Sequence, residues 1–256
     1  MRFIFIHKTN ARWEAGEIPG PDLIAGVGVL IGDLERAGIL RAGEGLRASS
    51  LGARVHSAAG QVTVVPGPFA GRDKMPAGFD IVRAPTLEEA VAWAREVGRA
   101  LGDAEIDVRP VTEPWDIGLG SEPPGLASRR FMALRKATPE TESDSGLATS
   151  TREALRTLRA AKRADLLASE TMRPGGRGRR CQNTVGGIVF TDGPFTETKE
   201  LIAGYVIVEV GSVDEASHWA ARYLTGVRAD EVDVLELEEP PASITLPSSS
   251  TSGSVP

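Results

Sequence analysis

A chain of 256 residues, 41% hydrophobic and 25% charged, is ordinary for a globular protein of one or two domains. Its net charge of −6 and pI near 5.3 argue against a general nucleic-acid binder, which carries a basic patch and a high pI. The single cysteine, Cys181, excludes a disulfide within the chain, and the opening Met1 to Lys8 is too short an apolar run for a signal peptide or membrane span; the expectation is a cytoplasmic protein with no nucleic-acid or membrane partner.

In chain order, Arg2 to His7 is a Phe- and Ile-rich run that suits a buried strand. Pro21 to Ala37 reads as a helix: Pro21 and Asp22 favour its start, Leu23, Val27, Leu30, Ile31 and Leu34 form an apolar stripe, and Gly38 stops it. Extended pieces follow at Ile39 to Arg47 and Val62 to Val65, the latter closed by the turn Pro66-Gly67-Pro68. Gly78 to Arg83 is a further strand. Leu87 to Leu101 is an amphipathic helix opened by Thr86 with Glu89 three residues on, a capping box. Ile106 to Val111 is the next strand.

Glu113 to Ser128, with Pro114, Pro123 and Pro124, has linker composition and is expected to be exposed. Beyond it, Phe131 to Leu134 reads as a strand, Thr138 to Ser150 as a mobile polar loop and Thr151 to Ala168 as a helix. Arg173 to Arg180 reads as a solvated hairpin loop or a phosphate-contacting one. Ile188 to Phe190 and Tyr205 to Val210 are strands, Ser212 caps a helix with Glu215 three residues later, and Val232 to Leu237 is the last strand. The Ser-rich end, residues 240–256, reads as a disordered tail.

The two stretches are alike. Asp192-Gly193-Pro194-Phe195 answers Pro66-Gly67-Pro68-Phe69 at an offset of 126 residues. At that same offset Glu44 and Arg47 fall on Glu170 and Arg173, Gly78-Phe79 on Gly204-Tyr205, Trp93 on Trp219, and Asp107-Val108 on Asp233-Val234. A constant register over roughly 65 residues marks an internal repeat. The division is therefore residues 1–112 as one module, 113–128 as linker, 129–239 as a second module and 240–256 as tail. Strand, helix, strands, helix, strand is the order of a ferredoxin-like α+β unit. Such a unit leaves one sheet face uncovered, and packing two sheets together makes an intrachain pseudo-dimer.

With Asp192-Gly193-Pro194-Phe195 followed by Thr196-Glu197-Thr198-Lys199-Glu200 and Gly204-Tyr205, the chain resembles the YCII-related proteins of the DGPF type. Gly43-Glu44-Gly45-Leu46-Arg47 and the altered turn in the first module extend the likeness. The resemblance implies a dimeric α/β barrel of ferredoxin-like subunits and no settled reaction. Some family members are encoded beside extracytoplasmic-function sigma factors. The YciI branch is suspected of using a His–Asp pair with its His on the first helix, and neither Pro21 to Ala37 nor Thr151 to Ala168 contains a histidine.

Asp192, at a strand end before Gly-Pro, is either a general base in a barrel cleft or a turn residue accepting backbone hydrogen bonds. Only the second module carries it, since Pro66 stands at the equivalent place. Glu170 and Glu44, three residues before Arg173 and Arg47, either shuttle a proton beside an anion-binding Arg or form inter-domain salt bridges. Lys199 follows the turn as a ligand contact or a solvated charge. His7 ends the first strand, facing a cleft or the core; His56 is assigned to a loop and His218 to the surface. Trp93 and Trp219 are core anchors. No nucleotide loop, zinc spacing or nucleophile elbow appears, so no cofactor and no metal are expected. Three functions stand side by side: cofactor-free acid–base chemistry on a small molecule, a non-catalytic ligand-binding or regulatory module linked to sigma-factor or stress signalling, and a structural pseudo-dimer whose partner is another protein. Further homo-oligomerisation is compatible with all three.

Overall fold

The computed structural model describes residues 1–69, 73–143, 145–195, 197–198 and 201–239; the side chains of 73, 197 and 198 are left aside, and the expected tail and Lys199 lie outside the described residues. The elements run β1 (Arg2–Lys8), α1 (Ala11–Glu14), α2 (Pro21–Arg36), β2 (Leu40–Gly45), β3 (Ala53–Ala58), β4 (Gln61–Pro66), β5 (Asp73–Lys74), β6 (Pro76–Ala84), α3 (Leu87–Leu101) and β7 (Ala104–Pro110). They continue with β8 (Arg129–Lys136), α4 (Thr149–Ala161), β9 (Leu166–Thr171), β10 (Arg179–Thr184), β11 (Gly187–Asp192), β12 (Glu197–Thr198), β13 (Ile202–Glu209), α5 (Val213–Gly226) and β14 (Glu231–Glu236).

The described residues form an α+β fold with two six-stranded sheets, ordered β11-β10-β14-β1-β13-β2 and β4-β3-β7-β8-β6-β9, and a two-stranded ribbon of β5 and β12. Neighbouring strands are antiparallel throughout. Neither large sheet belongs to one half of the sequence. The first takes β1 and β2 from before the linker and its other four strands from after it, and the second takes β8 and β9 from after the linker. The chain halves thus exchange strands, and the two sheets carry corresponding strands in corresponding order.

Three apolar clusters follow from strand periodicity. Alternate residues of β1 split cleanly: Ile4 and Ile6 join Phe79, Ile81, Met132, Leu134, Tyr205 and Ile207 in a core shared by both sheets. Phe3 and Phe5 point the other way, into a cluster with Leu30 and Leu34 of α2 and Leu224 of α5. The second sheet has its own helix-side cluster, with Trp93 and Val97 of α3, Phe131 and Leu155. Being covered on both faces explains why β1 reads as a continuous apolar run.

The local start signals act through their hydroxyl caps, while the Glu215 carboxylate accepts from the Gly211 N–H at 2.9 Å rather than closing a box on Ser212. Thr86 Oγ1 accepts from the Glu89 N–H at 3.2 Å and Ser212 Oγ from the Glu215 N–H at 3.1 Å. Several boundaries differ from the sequence reading. The helix assigned to Thr151 to Ala168 spans Thr149–Ala161, and Ala168 lies in β9; pairing of β9 with β6 overrides the helical propensity of Leu166 to Ala168. The stretch Arg173 to Arg180 is not a solvated hairpin loop as a whole: Gly175–Arg177 forms a 3₁₀ turn, and Arg179 and Arg180 belong to β10. His56 likewise sits in β3 rather than a loop. The polar stretch after β8 is tethered, with Glu142 accepting from the Gly175 N–H and Glu140 from the Ala148 N–H. In the linker, Glu113 and Asp116 cap a 3₁₀ turn and pair with Arg130 and Arg47, whereas residues 118–127 are exposed. Trp93 is buried and Trp219 partly so; His218 is exposed.

Candidate functional site

The densest polar geometry is a buried ion cluster that occurs twice. Antiparallel pairing sets Arg180 of β10 opposite Asp233 of β14, and Arg54 of β3 opposite Asp107 of β7. Arg180 Nε donates to Asp233 Oδ1 at 2.7 Å, and Lys8 Nζ donates to Oδ2. In the second sheet Arg54 Nε donates to Asp107 Oδ1 at 2.6 Å, and Lys136 Nζ lies 2.8 Å from Oδ2. Each arginine also meets a strand-end glutamate: Glu231 at 3.1 Å from Arg180 and Glu105 at 3.3 Å from Arg54. Burial by itself would raise both aspartates. The adjacent lysine and arginine outweigh it, and both pKa values lie below the usual carboxylate value.

The Gly-Pro-Phe turns close these clusters. The guanidinium of Arg180 lies over the Phe195 ring at 4.5 Å, and that of Arg54 over Phe69 at 4.6 Å. The turn glycines are there for close approach. A Cβ on Gly193 would stand 2.0 Å from the Gly175 carbonyl oxygen, and one on Gly67 1.9 Å from that of Ser49. The clusters went unnoticed in the sequence because they join three strands distant in the chain. The signal was present, since Arg54, Glu105 and Asp107 recur as Arg180, Glu231 and Asp233 at the 126-residue offset.

The residues nominated from the sequence are dispersed. Asp192 ends the edge strand β11 with its side chain 76% exposed, paired with Arg179 at 2.8 Å; among the described residues no hydrogen bond or ion pair joins it to Glu170 or Arg173. Glu170 of the second sheet takes an ion pair from Arg2 of the first at 2.7 Å. Glu44 of the first sheet takes one from Arg130 of the second, which also holds Glu113 through two bonds of 2.7 and 2.9 Å. Burial lifts Glu44 above the usual carboxylate pKa in spite of Arg130. The two glutamates therefore tie sheet to sheet, and both lie near Tyr205, whose hydroxyl pKa is raised by burial and by their charge. Neither Glu pairs with the Arg three residues on: Arg47 meets Asp116 at 2.5 Å and Arg173 meets Glu236 at 3.1 Å.

His7 turns toward the helices, its Nδ1 2.8 Å from the Tyr223 hydroxyl. Burial, helped by the Lys8 charge, lowers its pKa to about 4, so it is neutral at pH 7. The corresponding row of the second sheet holds Arg135, Gly78 and Thr171, with Asp80 and Ser169 in the next row. There Asp80, fully buried, is held by Ser169 at 2.7 Å and by Arg159 of α4 at 3.1 Å. Burial lowers Arg135 to about 10. The two sheets thus share the Glu44–Arg130 and Glu170–Arg2 pairs between them. They differ at buried Arg109, which donates to the Ile202 carbonyl and pairs with Glu14 where Leu235 stands at the equivalent place, and they differ beneath their helices. Cys181 is buried, its thiol pushed up to about 11. Among the described residues no three His, Cys, Asp or Glu side chains are grouped to hold a metal ion. No helix among them is long and apolar enough to cross a membrane.

Two open recesses lie on the surface of the described residues. A wide groove of about 420 Å³ runs between α2 and α5, with Val29, Leu30 and Ile188 in its wall. A narrower slot of about 180 Å³ lies beside α3, over β6 and β9. Neither contains Asp192, Glu44 or Glu170.

Residues 130–236 match the family model of the YCII-related domain. No curated protein and no solved structure matches the chain.

Proposed function

We propose that the chain is a duplicated pair of ferredoxin-like units, a dimeric α/β barrel in one polypeptide, serving as a non-catalytic ligand-binding or regulatory module. The observation that carries this reading is the paired use of its carboxylates. Glu44–Arg130 and Glu170–Arg2 make the same cross-sheet contact twice, which suits joining two units. Asp192, found in one unit only, stays in the solvent beside Arg179. A general base needs a carboxylate free to accept a proton within reach of an enclosed substrate. The strand order β7-β8-β6-β9, matched by β14-β1-β13-β2 in the other sheet, supports the two-unit architecture.

Ligand-observed NMR of the full chain against small carboxylates, amines, amino acids and phosphates tests the reading. Binding with the compounds unchanged over hours is the expected result. Turnover of a bound compound, abolished by Asp192→Asn or Glu170→Gln in a folded protein, would replace it with cofactor-free acid–base chemistry. Glu44, lifted by burial and close to Tyr205, is the residue that favours this second reading.

A further inference from the structure

The hairpin of β10 and β11 differs from its counterpart, β3 and β4, in what it leaves uncovered. At the 126-residue offset Val185 stands for Ala59, Ile188 for Val62, Val189 for Thr63 and Phe190 for Val64. Val62 and Val64 pack against the cluster beneath α3. Ile188, Val189 and Phe190 are instead 40%, 47% and 42% exposed, and Val185 at the hairpin tip is fully exposed. β11 is also the edge of its sheet, so among the described residues no strand meets its outward backbone N–H and C=O groups. Edge strands are ordinarily blunted by charge, proline or cover. The edge strands β2 and β9 carry Glu44 and Glu170 in ion pairs, and β4 ends in Pro66. β11 has no such guard before Asp192 at its end. Consecutive apolar side chains beside open backbone groups fit another strand of the same kind.

We propose that β11 pairs antiparallel with β11 of a second copy of this chain, about a twofold axis normal to the sheet, so that two six-stranded sheets become one. The inference is independent of the binding-module reading. Such an axis keeps every side chain on its own face, so each residue meets one of the same parity. The register centred on Val189 meets this condition. It sets Val189 opposite itself, Gly187 opposite Thr191, and Ile188 opposite Phe190 of the second copy, twice. Pairs of a β-branched and an aromatic residue are among those that stabilise a sheet. Centring on Phe190 would instead oppose Ile188 with Asp192. In the Val189 register Asp192, the one ionisable residue of β11, falls about 20 Å from its twin, well beyond a Debye length of roughly 8 Å. No like charges therefore face each other across the joint, although each chain carries −6. Both helix layers stay on one side of the joined sheet, and the two α2–α5 grooves, each walled by Ile188 and Val29, flank the joint. A charged partner finds nothing to pair with along Ile188, Val189 and Phe190. A foreign apolar strand matches the backbone alone, whereas a second β11 also matches the side chains.

Sedimentation velocity of the full chain from about 1 to 500 µM is the first test; for a strand-sized joint a Kd of roughly 1–100 µM is expected. Val189→Lys sets a charge opposite its own twin at an exposed position and is expected to weaken dimerisation at least about tenfold. Thr63→Lys, the same change at the equivalent place in β4, should leave it unaltered. Val189→Cys reads the register directly: a residue opposite itself has Cβ atoms about 4.5–5.5 Å apart, within reach of a disulfide after a small adjustment. Oxidation should link Val189→Cys into dimers and leave Thr191→Cys, about 14 Å from its twin, unlinked. The native thiol of Cys181 is buried. A chain that stays monomeric to about 500 µM would overturn the second copy as occupant and leave the edge to a foreign strand. Dimers that persist undiminished in Val189→Lys, weaken equally in Thr63→Lys, or link through Thr191→Cys in place of Val189→Cys would each overturn the joint.

Discussion

Arg180 lies with its guanidinium over the ring of Phe195, 4.5 Å from the ring centre, while its Nε holds the buried carboxylate of Asp233 at 2.7 Å. The phenylalanine of the Asp-Gly-Pro-Phe turn thus covers an arginine that neutralises a core aspartate. Arg54, Phe69 and Asp107 repeat the contact in the other sheet. The part of the turn common to both occurrences, Gly-Pro-Phe, is the part with a packing role. The aspartate that differs points outward.

Phe195 is buried, whereas Phe69 keeps more accessible surface. Phe195→Ala is expected to cost about 3 kcal/mol through lost burial and an uncovered arginine, and Phe69→Ala distinctly less. Urea denaturation of both variants decides; equal losses would refute the difference in packing.

Gly193→Ala drives a methyl group into the Gly175 carbonyl, 2.0 Å away. A backbone oxygen cannot move aside without disturbing the 3₁₀ turn, so a loss of about 2 kcal/mol or more is expected. Asp192→Asn removes one exposed partner of Arg179, which retains Asp214 at 2.5 Å, and should cost under about 1 kcal/mol. Thermal melts of the two variants should rank in that order.

Lys136 is a buried partner of Asp107. Lys136→Met strips one counter-charge from a carboxylate that remains in the core, at an expected cost of about 3–5 kcal/mol. Adding Asp107→Asn should return part of that loss. A single variant as stable as the wild type would show the cluster to be slack.

His7 sets a pH dependence. Its pKa is about 4 in the folded protein against 6.5 for the free side chain. As pH falls the unfolded chain takes up the proton first, so the stabilisation is complete above 6.5 and is lost as pH drops from 6.5 toward 4. The slope is about 1.4 kcal/mol per pH unit, for a total of about 3 kcal/mol at most. Asp107 and Asp233, held below their ordinary pKa, keep their contributions through that window and lose them only at lower pH. Chemical denaturation at pH 7, 6, 5 and 4.5 should show His7→Gln flatter than the wild type.

Because each sheet draws strands from both sides of the linker, cleavage within the exposed residues 118–127 should leave the two fragments associated under native conditions. Neither fragment is expected to fold alone as a monomer, since β1 and β2 would lack β13 and β14. Size-exclusion chromatography and circular dichroism of the separate and mixed fragments are the measurements. A monomeric half with full secondary structure would contradict the strand exchange.

What the sequence by itself determined was local. The helix from Leu87 to Leu101 emerges with the same limits in the structure, because its stripe, its Thr86 cap and Glu89 all lie within the segment. The apolar strand runs are legible for the same reason, each carrying its own period. The strands β3 and β10 escaped because Arg54, His56, Arg180 and Gln182 look solvated in isolation. Only the partners Glu105, Asp107, Glu231 and Asp233 make those polar side chains acceptable on a strand. The linear repeat suggested one sheet per half, whereas strand pairing is a long-range choice that no strand's own residues encode, and the tertiary structure alone decided that β1 lies between β13 and β14. The same holds for the site. Glu44, Glu170 and Asp192 were visible as residue types at suggestive spacings, but whether a carboxylate faces water, a salt bridge or a cleft depends on which distant cation the fold brings to it. Arg130, Arg2 and Arg179 supplied those answers.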